Sequence, residues 1–198
     1  MKAKDFRRIA NEKANAQITN TVIVYLLFFA LMGISTPTGI GAFILAGPAT
    51  LGLTIFIIKL SKREKAEIED VFKGFNNFVP ALVLWILQQL FVFLWSLLFL
   101  IPGIIKHYAY ALAFFLLEEK KELDPSEALR QSEAMMRGHK WRLFCLDVSY
   151  LGWIILSILT AGILFLWVKP KMDLAHYEFF LDLRERRKVE VVDIKEIR

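Results

Sequence analysis

From Gly74 through Ile105 the chain carries no charged residue in 32 consecutive positions, a run whose core reads VPALVLWILQQLFVFLWSLLFLIPGII. A helix crosses a bilayer core of about 30 Å with about 20 apolar residues, so this run is longer than one crossing needs. Pro102-Gly103 stands where a helix would stop and turn, and the chain then stays apolar until Glu118-Glu119-Lys120-Lys121. Two spanning helices joined by a tight turn are expected. Hydrophobic residues make up 56% of 198 positions, with 17 Phe and 5 Trp, which places the chain among integral membrane proteins.

The remaining apolar runs extend this pattern. A first span is expected over 18–32, closed by the uncharged loop GISTPTGIG, and a second over 42–60 with Gly47-Pro48 and Gly52 inside it. Proline and glycine are tolerated there when neighbouring helices approach closely. A fifth span is expected from Leu143 to Trp167. The last candidate, Lys169 to Leu183, carries Lys169, Lys171, Asp173, His176, Glu178 and Asp182, a costly load for lipid, and either crosses with its charges turned inward or lies at an interface. Crossing is favoured because it restores the charge asymmetry.

The expected fold is therefore all-α, a polytopic helical membrane bundle of about six transmembrane helices as three hairpins, with cytoplasmic amphipathic helices. One membrane domain covers 1–198: an amphipathic segment (1–17), a first hairpin (18–60), an amphipathic helix (61–78), a second hairpin (79–117), a further cytoplasmic helix (118–142), a third hairpin (143–183) and a tail (184–198). The connections at Gly33–Gly41, Pro102-Gly103 and Thr160–Leu166 contain no charge, whereas the other connections, the N-terminus and the RERRK tail hold most of the basic residues. The positive-inside rule then puts both termini in the cytoplasm.

The N-terminus, MKAKDFRRIANEKANAQITN, is charged for too long to be the n-region of a cleaved signal peptide and is expected to stay attached. Phe6, Ile9, Ala10 and Lys13 recur at helical spacing, which suits either a helix lying on the membrane surface or a solvated cap to the first span. Ile68, Val71, Phe72, Phe75 and Phe78 form one apolar stripe, expected on lipid or at the inner mouth of the bundle. Asp124-Pro125-Ser126-Glu127 reads as a helix start with an Asp124 cap and a Glu127 capping box, and Gly138 as the helix end. Each hairpin has a proline near the start of its return half, at Pro48, Pro102 and Pro170, a faint internal repeat.

The order of KGF, IPGIIKHYAYALAFFLL, DPSEALRQSEAMMRGHKWRLF and LWVKP resembles the bacterial integral-membrane family known as domain of unknown function 975. The resemblance is most specific at 102–106 and 132–140. It is looser at the N-terminus, where Ala14-Asn15-Ala16 stands in place of a Gly-Asn-Trp-like element. Membership implies a small multi-span protein of the bacterial plasma membrane and brings no activity or catalytic residue with it.

Polar groups inside the candidate spans are Gln88, Gln89, Lys106, His107, Asp147, Asp173, His176 and Glu178. Lys106, His107, Asp173, His176 and Glu178 are the candidate intramembrane site. By helical rise, Lys106 sits about 18 Å and Asp173 about 15 Å from the cytoplasmic face, so a buried Lys106–Asp173 ion pair is expected, with a snorkelling Lys106 as the alternative. Asp147 is expected near the cytoplasmic interface, neutralised by water or by Lys140 and Arg142. Gln88 and Gln89 are expected to join helices by hydrogen bonds. His139, Lys140 and Arg142 are candidate contacts to lipid phosphate.

Cys145 is alone, so no intrachain disulfide and no cysteine metal cluster is expected, and no metal or cofactor is assigned. The chain carries no Walker loop, Gly-x-Ser-x-Gly elbow or His-Glu-x-x-His helix, and its connections leave no room for a soluble catalytic domain. The expected partners are membrane lipids, anionic by the net charge of +5, and a second copy or a protein partner, with no nucleic acid. Two functions remain: a non-enzymatic lipid- or partner-binding membrane module, or a small-solute or ion transporter or channel acting as an oligomer.

Overall fold

A computed structural model describes residues 2–34, 40–98, 100–160 and 162–196, which form ten α-helices, one 3₁₀ helix and no strand. In chain order these are α1 (Ala3–Ala16), α2 (Ile18–Ile34), α3 (Ile40–Ser61), the 3₁₀ helix (Ile68–Asn77), α4 (Phe78–Leu98), α5 (Leu100–Ala109), α6 (Ala113–Glu119), α7 (Pro125–Met135), α8 (Lys140–Val148), α9 (Leu151–Leu159) and α10 (Phe165–Glu196). Among the described residues three helical stretches are long and apolar enough to cross a membrane: Phe43–Ser61, Ile68–Leu97 and Lys140–Leu159. A fourth joins them if α1 and α2, bent by 95° at their junction, count together.

The expected crossings depart from this in ways that have local causes. The first lies in α2, and of the loop expected after it residues 35–39 lie outside the described residues. In the stretch expected to form the second hairpin, α4 packs against α5, with Gly103 so close to Ser96 that an added Cβ would lie 2.9 Å from the Ser96 Cα. Its turn comes before Pro102, which occupies the first turn of α5, where a proline costs no hydrogen bond. The return half does not run on to Leu117 as one helix: it breaks at Tyr110–Leu112 and resumes as α6.

A backbone break of this kind needs partners, because hydrocarbon supplies none. Ser132 of α7, fully buried, provides them: its Oγ donates to the Ala109 carbonyl at 2.8 Å and accepts from the Leu112 N–H at 3.2 Å. The expected start of α7 holds at Pro125, whereas the helix ends at Met135, earlier than Gly138, which lies in the turn that follows with φ +74°. The Asp124 side chain makes no capping bond, however, and Glu127 instead pairs with Arg130. Ala128, Leu129, Ser132 and Met135 form the buried face of this helix.

The two other polar helices also turn their apolar sides inward. On α1, Phe6, Ala10 and Ala14 are buried, Phe6 meets Phe179 edge-on at 5.5 Å, and Lys13 reaches Glu178 at 2.6 Å. The N-terminal helix is thus a cap on the bundle. In the 3₁₀ helix, Asp70, Val71 and Gly74 are the buried residues while Phe72 is exposed, so the expected stripe of Ile68 to Phe78 does not act as one face. A tight helix repeats every three residues, and this shifts the inward side from the one that a 3.6-residue period predicts.

Glycines in α3 explain how closely it is approached. A Cβ on Gly52 would lie 1.8 Å from the Val71 carbonyl oxygen, one on Gly74 2.3 Å from the Gly52 nitrogen, and one on Gly47 2.6 Å from the Ala81 carbonyl oxygen. Close packing, as expected, is what these positions are for. Gly52→Ala is expected to lower stability by about 3 kcal/mol through overpacking. Gly152→Ala, where nothing lies within 4 Å, is expected to change it by less than about 1 kcal/mol. Thermal unfolding of both variants in detergent checks the contrast.

Candidate functional site

The long last helix brings ionisable groups into the bundle at helical spacing. Lys169, Asp173 and His176 fall at i, i+4 and i+7 along one side of α10, and all three line a central cavity of about 390 Å³. Opposite them, His107 and Tyr108 stand at the C-terminal end of α5, just before the break at Tyr110, and Asp147 near the end of α8. Tyr25 of α2, Thr50 and Thr54 of α3, and Gln88 and Gln89 of α4 complete the polar lining.

Two carboxylates organise the cavity. Asp173 accepts a hydrogen bond from the Tyr25 hydroxyl at 2.6 Å on one oxygen and pairs with Lys169 on the other. Asp147 accepts from the Tyr108 hydroxyl at 2.9 Å, and its other oxygen lies 2.6 Å from His176 Nε2. His107 shares the same cavity wall and packs edge-on against the Tyr108 ring at 5.7 Å. Two carboxylates, Asp147 and Asp173, thus face a single lysine, Lys169, in this lining, an arrangement that attracts positive charge.

Three of the five residues expected to form an intramembrane site, His107, Asp173 and His176, therefore line one cavity. The other two do not. Lys106 points to α7 and pairs with Glu133 at 2.6 Å, its ammonium also lying over the Trp95 and Tyr110 rings, so the expected Lys106–Asp173 pair is not formed. Equal height on two helices does not fix azimuth, and consecutive residues on α5 point about 100° apart. Glu178 sits lower, bonded to Lys13 and to the Ser61 hydroxyl at the junction of α1, α3 and α10.

Asp147 was expected to be neutralised by water, Lys140 or Arg142; His176 and Tyr108 take that place. Gln88 and Gln89 line the cavity, and Gln88 Oε1 is buried with no hydrogen-bond partner among the described residues. Tyr25 and Tyr108 escaped sequence reasoning, and Lys169, counted there among the charges of the last segment, was not linked to Asp173. Tyr25 could have been found as the lone phenol in an otherwise apolar span, since a buried hydroxyl needs a partner.

Of the three residues expected at lipid phosphate, Arg142 is turned inward, 2.9 Å from Asp182 and over the Phe179 ring. Burial, with Arg142 and Arg186 nearby, holds His139 below the ordinary imidazole range, so it is neutral at pH 7. Lys140 is half-buried beside the exposed Trp141. Among the described residues no group of three or more His, Cys, Asp or Glu side chains could hold a metal ion.

The chain matches the family described as "Protein of unknown function (DUF975)" over residues 1–108 and 97–187. It belongs to this bacterial integral-membrane family. Nothing among curated proteins or solved structures matches it. The family carries no assigned activity, so the cavity has to be interpreted from its own chemistry.

The pairing itself can be tested. Lys169→Met leaves Asp173 without its cation and is expected to destabilise the protein in detergent, with Asp173→Asn added to it recovering part of the loss. A coupling of about 1 kcal/mol or more is expected for this cycle. The corresponding Lys106→Met and Asp173→Asn cycle is expected to be additive within about 0.5 kcal/mol.

Proposed function

We propose that this DUF975 protein is a non-enzymatic membrane bundle of six spans in three hairpins, with cytoplasmic termini, whose central cavity passes a small polar solute or ion. The observation that carries this reading is the gathering of His107, Asp147, Lys169, Asp173 and His176 from three helices around one space. Ionisable groups are costly in a bilayer, and an ion-pair network that served only to hold helices together would have no need of a cavity beside it. The excess of carboxylates, Asp147 and Asp173, over the single Lys169 favours a cation or a proton.

Support for the other reading, a module binding lipid or a partner through its amphipathic helices, is weaker than the sequence suggests. The apolar faces of α1 and α7 are buried, and so are Val71 and Gly74 of the 3₁₀ helix. Those faces are occupied by the bundle itself.

Proteoliposomes test the proposal. The wild-type protein is expected to pass protons or a small cation such as potassium or methylammonium, followed by an internal pH dye and by radiolabel. The Asp147→Asn, Asp173→Asn double variant is expected to lose at least about tenfold of that flux while eluting as a folded species, and Glu133→Gln to retain it. Liposomes that stay tight to all of these with wild-type protein overturn the reading. For the topology, single cysteines in a Cys145→Ser background are expected to react with an impermeant maleimide in intact spheroplasts at Ile163, and only after lysis at Glu122.

A further inference from the structure

A second, smaller cavity of about 240 Å³ lies outside the central one, between α1, α9 and the start of α10. Its polar end is made by Arg7 and Asn11 of α1 and Lys171 of α10, its apolar end by Trp153 of α9 and Trp167 of α10, with Tyr150 between them. Arg7 and Lys171 form no ion pair with a carboxylate among the described residues, unlike Lys13, Lys106, Lys169 and Arg184, each of which has one. Two uncompensated cations thus face one space.

The two cations are held in position. Buried Tyr150 carries the Arg7 guanidinium over its ring at 5.0 Å and donates its hydroxyl to the Lys171 backbone carbonyl at 3.3 Å. Stacking of this kind orients an arginine while leaving its N–H donors free. Beyond Tyr150 the lining opens onto bare apolar surface: Trp153, Ile155, Ile158, Ile163 and Trp167 are all exposed. The aromatic end of the cavity is therefore continuous with exposed apolar surface, while its other end carries Arg7, Asn11 and Lys171.

We infer that this cavity binds the phosphodiester headgroup of an anionic glycerophospholipid, with Arg7, Lys171 and the Asn11 amide on the phosphate and the first part of an acyl chain along Trp153 and Trp167. Charge complementarity selects the headgroup, and continuity with the exposed apolar belt selects a lipid over a free anion. The site is independent of the solute reading of the central cavity, with which it shares no lining residue.

The full-length protein in nanodiscs of phosphatidylcholine, titrated with phosphatidylglycerol and released for native mass spectrometry, tests the assignment. Wild-type protein is expected to retain phosphatidylglycerol over phosphatidylcholine of the same chains. Arg7→Gln with Lys171→Gln is expected to weaken that retention about thirtyfold, the effect of two interfacial cations. Lys4→Gln with Arg8→Gln, which removes the same charge from the exposed side of α1, is expected to leave it within about threefold. Equal losses in the two double variants would mean diffuse attraction and overturn the site. So would equal protection by millimolar inorganic phosphate without any lipid preference. Because the Arg7 variant also loses its stack on Tyr150, the wild-type protein provides a second measurement: phosphatidylglycerol with a photoreactive group near the acyl carbonyl is expected to label residues 150–171. Labelling confined to other segments overturns the proposal.

Discussion

A helix bearing Lys169, Asp173, His176, Glu178 and Asp182 can be packed inside an apolar bundle only if these five groups find partners, and each of the five does. Asp173 takes Lys169 and Tyr25, His176 takes Asp147, Glu178 takes Lys13 and Ser61, and Asp182 takes Arg142. Arg184, one turn below Phe180, reaches Glu119. These partners come from α1, α2, α3, α6 and α8, so the polar side chains of one helix settle which elements surround it. Apolar packing supplies the free energy, with Tyr177, Phe179 and Phe180 fully buried on the same helix, but it is indifferent to register. The charges supply the register, since a slip of one residue would leave several of them unpaired.

The same arrangement explains why the cavity is where it is. Broken helices in membrane proteins place unpaired backbone and polar side chains beside a space, and here α5 ends one residue after the His107-Tyr108 pair that forms one wall. The break is held open by Ser132, from a helix outside the apolar runs, and by Lys106–Glu133 beside it. Thus the two stretches that look most distinctive in the sequence, around Pro102–Lys106 and Ser132–Lys140, meet in space as one structural unit.

Much of this was legible from residue order. The uncharged run from Gly74, the proline and glycine positions, and the polar residues within apolar surroundings pointed to the bundle and to most of the cavity's members. What escaped was lateral. Helical rise put Lys106 and Asp173 at similar heights, but height carries no information about direction, and the two residues face different neighbours. The break at Tyr110–Leu112 escaped for a different reason: Tyr-Ala-Leu contains neither glycine nor proline, and only the later arrival of a serine makes it affordable. The 3₁₀ helix was misread because its period is shorter than the one against which the stripe was matched.

Ser132 lies 23 residues after the carbonyl it satisfies and 20 after the N–H. A ribosome adds about 5–20 residues per second, so α5 and the break after it exist for roughly one to five seconds before their partner has been made. During that interval the Ala109 carbonyl and the Leu112 amide must rest against lipid, translocon or water. The order of synthesis therefore separates the making of α4 and α5 from the completion of their packing, and the arrival of α7 is the step that closes the break.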